Sequence, residues 1–477
     1  MTLTEHTPSS TDHLESRAVG AEPLSLQIGR WAADVRLNDV PEHVRERALL
    51  HVLDCVGLAF ASSGYEFAKR TLAAVSENGP GEAAVIAHTT RLSARDAALL
   101  NGVLVHGLDY DDTHLPGVVH ASASALPLAL AVAAQKHLTG SDLLLGYLIA
   151  HEVSARIGTA ANSGFHAQGF HPTGLVGAFG CATAAARLSG LNAAGIASAQ
   201  GLVGSIASGS MEFLATGAST KRMHPGWAAV CGMTAANFAR HGFETPPAVY
   251  EGRFGLYATH TPLGHDVDLS RTVAGLGSTW ELLKTGVKPY PACHFTHAFA
   301  DAALLLATNA QLRAEDVESV TCLVPPAVIP VVCEPADAKL RPRSDYDAKF
   351  SLRYIVAAVL ERGRFSLAEL EDEALHDPAI LELAARVHYE PDPNSAFPTY
   401  FDGEVVIRTR DGRELRHREE MNRGSEERPL PAADIEAKFY DNMALAASPS
   451  AAARVHEAVM TLPAERDSAR FAAALRA

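Results

Sequence analysis

From Pro23 to about Gly242 this chain carries an almost unbroken helical period in its apolar residues, and much of that apolar face is Ala and Gly. The segment PEHVRERALLHVLDCVGLAFASS, Pro41 to Ser63, opens on a proline and then repeats its apolar residues at the 3.6-residue spacing. The same spacing predicts helices over Ser93–Leu108, Ser124–Leu138, Ser141–Ile157, Pro172–Leu188, Asn192–Ser208 and Pro225–His241. Several of these are apolar on more than one face, which predicts burial rather than a surface position. Small residues let helix backbones approach closely, so Gly and Ala here signal tight helix packing rather than flexibility.

After about Leu263 the pattern changes. VESVTCLVPPAVIPVV, Val317 to Val332, is β-branched and interrupted by proline, a strand signal. EVVIRTRDGRELRHRE, Glu404 to Glu419, alternates around Asp411-Gly412, the dipeptide of a tight hairpin turn. Helical patterns over Ala348–Arg362 and Ala379–Val387 lie between them, and helical patterning returns from Pro431. The expected fold is therefore mainly α. A large all-helical domain is built from both chain ends, residues 23–265 plus 425–477, with a smaller α+β lid domain inserted at 266–424 and a pocket between them. Residues 1–22 are polar, lack an apolar core and read as a disordered tail rather than a signal peptide.

Composition narrows the function. With 40 basic and 55 acidic residues the net charge is −15, and no basic stripe appears, so nucleic acid is not an expected partner. The six cysteines form no CxxC pair, which fits a reducing compartment. The longest apolar run, near Ala125–Ala134, falls short of the roughly 20 residues that span a bilayer. The expectation is a cytoplasmic protein without membrane association.

The chemistry concentrates in LDYDDTHLPGVVHAS, Leu108 to Ser122, where an apolar helical pattern runs straight into three carboxylates, a threonine and two histidines. Asp109 and Thr113 are spaced i, i+4, and one more helical turn would put them on one side. Asp111 and Asp112 read as solvated helix-end acids. His114 and His120 compete for one role. Three further segments also place histidine at an apparent helix start: His171 before Pro172, His224 before Pro225, and His294 and His297 around Thr296. His294 and His297 are again rivals, and Asp301, four residues on, is positioned to orient His297. Such helix starts attract anions, and Lys221 and Lys288 stand beside two of them. If the starts converge they form a pocket for a small polycarboxylate, with neutral histidines as proton acceptors.

No HxH, HExxH or 2-His-1-carboxylate spacing supports a metal, so none is expected. Neither GxGxxG after a strand nor GxxxxGK[ST] occurs, which argues against a nucleotide cofactor. No GxSxG elbow or nucleophilic cysteine setting is present.

The pieces LDYDDTH, GFHPTG, TKRMHPGWAA, YEGRFG, KPYPACHFTHAFADA and AKFSLRYIVAAVL follow one another from about Leu108 to Leu360. In this order they resemble the MmgE/PrpD family of 2-methylcitrate dehydratases, cis-aconitate decarboxylases and related epimerases. The resemblance implies a homodimer without metal or organic cofactor. Its pocket would comprise Asp109, Thr113, His120, His171, Lys221 and His297 as catalytic residues. Lys221, His224, Lys288 and Tyr354 would bind substrate. Removal of a proton α to a carboxylate builds charge that Lys221 and helix N-termini can stabilise. The expected activity is a hydro-lyase of the 2-methylcitrate dehydratase type. Decarboxylation of cis-aconitate and epimerisation of a dicarboxylate are the alternatives within the family, and a non-catalytic carboxylate-binding protein is the alternative outside it.

Overall fold

The computed structural model describes residues 22–397 and 399–476. The tail expected over residues 1–22 lies outside the described residues except for Glu22. Helices predominate, with a few short strands. The described residues form two compact units, one from Met1–Gly286 with Pro431–Ala477 and the other from Val287–Leu430. Among them, no single helix is long and apolar enough to cross a membrane.

The first unit is built on the helices Glu42–Ser62, Ala94–His106, Ala121–Gln135, Gly140–Ala160, Pro172–Leu188, Ala193–Val203 and His224–Arg240. Their starts are set locally. Ser93 and Asn192 accept from the backbone amides of Asp96 and Gly195, and Thr139 with Asp142 forms a reciprocal capping box. Pro172 occupies a first-turn position, where its missing N–H costs nothing. The packing follows from the small residues. A Cβ on Gly102 would lie 2.4 Å from the Cα of Gly226, and one on Gly180 would lie 2.2 Å from the carbonyl oxygen of Ala150. These backbones are in contact, so helix approach rather than backbone freedom requires glycine there.

The C-terminal segment returns to this unit. Within the helix Ala432–Met443, Lys438 reaches Asp54 of Glu42–Ser62 at 2.8 Å. Contrary to expectation, the unit is not all-helical. Pro80–Ala84 pairs with Arg91–Leu92, and Thr113–His114 pairs antiparallel with Thr285–Gly286. The second pairing keeps residues 266–286 in the first unit, so the boundary falls at Gly286 rather than near residue 265. A buried extended pair needs main-chain partners, and this one draws them from a distant part of the chain.

The second unit carries a four-stranded sheet in the order Val387–Pro391, Val317–Val324, Gly403–Thr409, Glu414–Glu419. The first pair is parallel and the other two are antiparallel. The hairpin forms where Asp411-Gly412 indicates it, with Gly412 at φ 86°. The strand expected over Val317–Val332 stops at Val324, and Ile329–Val332 turns into a short helix after the prolines. His297–Asn309 packs on the sheet; a Cβ on Gly403 would meet the Phe299 ring at 2.7 Å.

Gly102→Ala should destabilise the protein by about 1–3 kcal/mol, because the added methyl meets backbone that has no side chain to move aside. Urea unfolding of the variant checks this, and an unchanged midpoint would mean that the helices are not held that close.

Candidate active site

The Asp109/Thr113 spacing anticipates one more helical turn, but the segment between Ala94–His106 and Ala121–Gln135 does not continue the helix. The helix stops at His106, Asp109 takes a left-handed φ of 53°, and Thr113 lies in a strand. Residues 107–114 are all buried. Three side chains hydrogen-bond carbonyl oxygens of this segment. Arg222 Nε donates to Gly107 at 2.8 Å, Lys438 Nζ to Tyr110 at 2.9 Å, and His120 Nδ1 to Asp112 at 2.9 Å.

The three carboxylates take separate partners. Asp109 accepts from Lys221 Nζ at 2.8 Å, both groups being largely buried. Asp111 lies 2.8 Å from His106 Nδ1 and 3.4 Å from His120 Nδ1. Asp112 accepts from Ser122 and lies 2.5 Å from His51 Nδ1; Tyr147 completes the chain through Ser122. Asp111 and Asp112 are 0% and 1% exposed, which overturns their reading as solvated acids. Burial raises the pKa of Asp112 and, with Arg47 and Lys438, lowers that of His51 well below its usual range. One shared proton suits that pair better than two charges.

Four helix ends bring histidines together. His106 ends Ala94–His106, His120 and His171 immediately precede the helices Ala121–Gln135 and Pro172–Leu188, and His224 opens His224–Arg240. Ring centroids lie 4.7 Å apart for His106–His120, 5.7 Å for His106–His171, 6.0 Å for His120–His171 and 5.2 Å for His171–His224. None of the three flanking histidines caps its helix through the side chain. Ser122 lies inside its helix and bonds Asp112 instead of acting as a cap. The Nδ1 atoms of His171 and His224 are 3.0 Å apart, so one donates and the other accepts. Burial, then the Lys221 ammonium and the neighbouring histidines, hold His171 well below its usual value. Burial, His106 and Lys221 lower His224 to about 4. Both are neutral at pH 7, as the helix-start argument anticipates.

The rival histidines separate. His114 Nδ1 accepts from the Gly117 amide at 3.1 Å, so Nε2 carries the proton and donates to Glu281 at 2.9 Å. Both nitrogens of His114 are thus engaged outside the cluster that His120 joins. Thr113 Oγ1 lies 3.4 Å from His120 Nδ1.

The remaining sequence candidates belong to the second unit. Lys288, His294 and His297 are buried, and the two imidazoles lie 4.7 Å apart. His297 Nε2 is 3.1 Å from the carbonyl oxygen of Ala292. Asp301 does not serve as the orienting group expected for His297. Its Oδ1 accepts from the Tyr290 hydroxyl at 2.7 Å and from Arg423 at 2.7 Å. Tyr354 is fully buried, and its hydroxyl donates to the carbonyl oxygen of Glu369 at 2.6 Å.

His106 escaped the sequence reading because it fits the apolar pattern of its helix. The one signal was its position five residues before Asp111. Lys438 and His51 carried no local signal at all. His106, Asp111 and His120 are also ligand types whose atoms lie within 4.8 Å of one another. A metal needs deprotonated nitrogens, whereas His120 Nδ1 faces a main-chain oxygen and His106 Nδ1 faces a carboxylate at hydrogen-bond distance. The geometry is that of a hydrogen-bonded acid–base cluster.

A lysine beside clustered histidines at helix ends has the chemistry to hold an anion and to move protons. Residues 26–266 match the MmgE/PrpD N-terminal domain and residues 290–463 match the MmgE/PrpD C-terminal domain, so the chain belongs to the MmgE/PrpD family. It is 28% identical over 430 residues to the cis-aconitate decarboxylase of Homo sapiens, an overlap covering 86% of this chain and 85% of the human protein. It is 27% identical over 442 residues to the cis-aconitate decarboxylase of Aspergillus terreus, covering 87% and 88%.

A polyanion bound beside His171 and His224 raises their depressed pKa values, so binding takes up protons at pH 7 and tightens as pH falls from about 7. Calorimetry of citrate binding in two buffers of different ionisation enthalpy should show uptake; release would place the anion elsewhere.

Proposed function

We propose that this protein is a lyase that decarboxylates cis-aconitate or a closely similar unsaturated tricarboxylate. The observation that carries this reading is the relation to proteins named cis-aconitate decarboxylase, which extends over 86% of the chain and spans both family domains. It favours decarboxylation over the 2-methylcitrate dehydratase reading that the motifs alone had put first.

The chemistry follows from the residues of the first unit. Lys221, backed by Asp109, supplies a fixed cation to a substrate carboxylate. Of the neutral imidazoles of His171 and His224, the one that accepts at Nδ1 keeps an Nε2–H to donate, and the start of Pro172–Leu188 offers further donors. The carbon–carbon bond to one carboxylate breaks and CO₂ leaves. The electron pair stays on the substrate as a carbanion delocalised toward the adjoining alkene and carboxylate. His120, which carries a proton on Nε2 as well as on Nδ1 at this stage, gives the Nε2 proton to carbon and is left as the neutral Nδ1–H ring. Solvent reprotonates Nε2 for the next turnover. A positioned histidine of this kind contributes roughly 10²–10⁴ in rate. A tricarboxylate brings three negative charges to a protein of net charge −15, so local cations rather than the overall field must hold it. The family resemblance further supports a homodimer.

Purified protein incubated with cis-aconitate should release one CO₂ per dicarboxylate formed, read by mass spectrometry. Formation of an alkene from 2-methylcitrate with no CO₂ from cis-aconitate would restore the dehydratase reading. Lys221→Ala and His171→Ala should each lower turnover by at least about 100-fold with folding intact. Turnover retained in both would move the active site elsewhere.

A further inference from the structure

His120 Nδ1 has three oxygen neighbours: the carbonyl of Asp112 at 2.9 Å, Asp111 Oδ2 at 3.4 Å and Thr113 Oγ1 at 3.4 Å. A carbonyl and a carboxylate accept only, so Nδ1 must carry a proton. The tautomer of the neutral ring is thereby set, and Nε2 becomes the atom that exchanges protons. Main-chain geometry alone would do part of this. Asp111 adds a fully buried carboxylate that also lies 2.8 Å from His106 Nδ1. A buried carboxylate without donors is strongly disfavoured, and an imidazole N–H from the end of the preceding helix is the donor that holds it at His120. His106 itself is 1% exposed, and its Nε2 has no hydrogen-bond partner among the described residues. Its ring stacks at 5.7 Å on His171 and meets His120 edge-on at 4.7 Å. The His106 ring therefore engages the rest of the site through Nδ1 and packing.

We propose that Asp111 and His106 are positioning residues for proton transfer by His120: His106 Nδ1–H holds the Asp111 carboxylate, and Asp111 holds His120 with its proton on Nδ1 and Nε2 facing the reaction. The proposal rests on the acid–base reading of the site given above. Of the three aspartates in this segment, Asp111 is then the one that sets a tautomer, while Asp109 pairs with Lys221 and Asp112 belongs to the His51–Ser122–Tyr147 chain.

Three variants separate this from a purely structural role. Asp111→Asn keeps the shape but presents an amide N–H to one of the two imidazoles, which drives it toward the opposite tautomer. It should lower kcat by at least about 100-fold with KM changed less than about threefold, since a wrong tautomer costs turnover rather than binding. His106→Asn retains an N–H donor near the Nδ1 position and should stay within about fivefold of wild type. His106→Leu offers none and should lose about 10–100-fold, as loss of an outer orienting group does elsewhere. Thermal unfolding of each variant identifies any that has simply lost its fold.

Nitrogen NMR of ¹⁵N-histidine-labelled protein supplies a readout without substrate, with the His120 resonances assigned by difference against His120→Gln. In wild type His120 should be protonated at Nδ1, and in Asp111→Asn the proton should shift toward Nε2. Wild-type kcat in Asp111→Asn, equal losses in the Asn and Leu variants of His106, or a neutral wild-type His120 ring with its proton on Nε2 instead of Nδ1 would each overturn the proposal. If the wild type leaves cis-aconitate untouched while the NMR result stands, the substrate assignment fails and the positioning role survives.

Discussion

Burying an irregular segment is the constraint on which this site depends. Residues 107–114 leave the helix and remain inside the protein, where each carbonyl needs a donor or costs about 1–3 kcal/mol. Regular structure cannot supply all of those donors at a chain reversal. They come instead from Arg222, Lys438 and His120. Because these side chains enter from three different elements, the segment has one conformation that satisfies them all. The left-handed backbone at Asp109 is held by the same arrangement.

That conformation sorts the three carboxylates into three chemical environments. Asp109 meets a lysine, Asp111 meets two imidazoles, and Asp112 meets a histidine and a serine hydroxyl. Groups separated by one or two residues would repel in a single low-dielectric pocket. Distinct counter-groups let all three be buried together. The histidines divide in the same way: His171 and His224 face the Lys221 ammonium and stay neutral, whereas His106 and His120 face a carboxylate. A fixed cation, neutral imidazoles and carboxylate-bound imidazoles are thus held side by side on one scaffold.

Much of this was legible locally. The helix starts at His171 and His224 were visible because proline and the adjoining apolar period mark a helix N-terminus from short-range sterics alone. The hairpin at Asp411-Gly412 was visible for the same reason: positive φ is a property of one residue. Asp111 and Asp112 were misread because a run of acids after a helix has the same sequence whether water or imidazole surrounds it. His106 was hidden by its place in an apolar pattern, and Asp301 by a spacing that Tyr290 and Arg423 outcompete.

The sequence by itself determined the helical character of the first unit, the α+β character of the second, the family, and most of the residue types of the cluster of lysine, histidines and carboxylates. These depend on periodicity, turn residues and short motifs, all of which act over a few residues. Tertiary structure decided which carboxylate meets which cation, which of His114 and His120 joins the cluster, and that Lys438 secures a segment more than three hundred positions away. The physical reason is that desolvation and hydrogen-bond satisfaction are properties of a place in space. A chain pattern names the groups, and only packing determines what surrounds them.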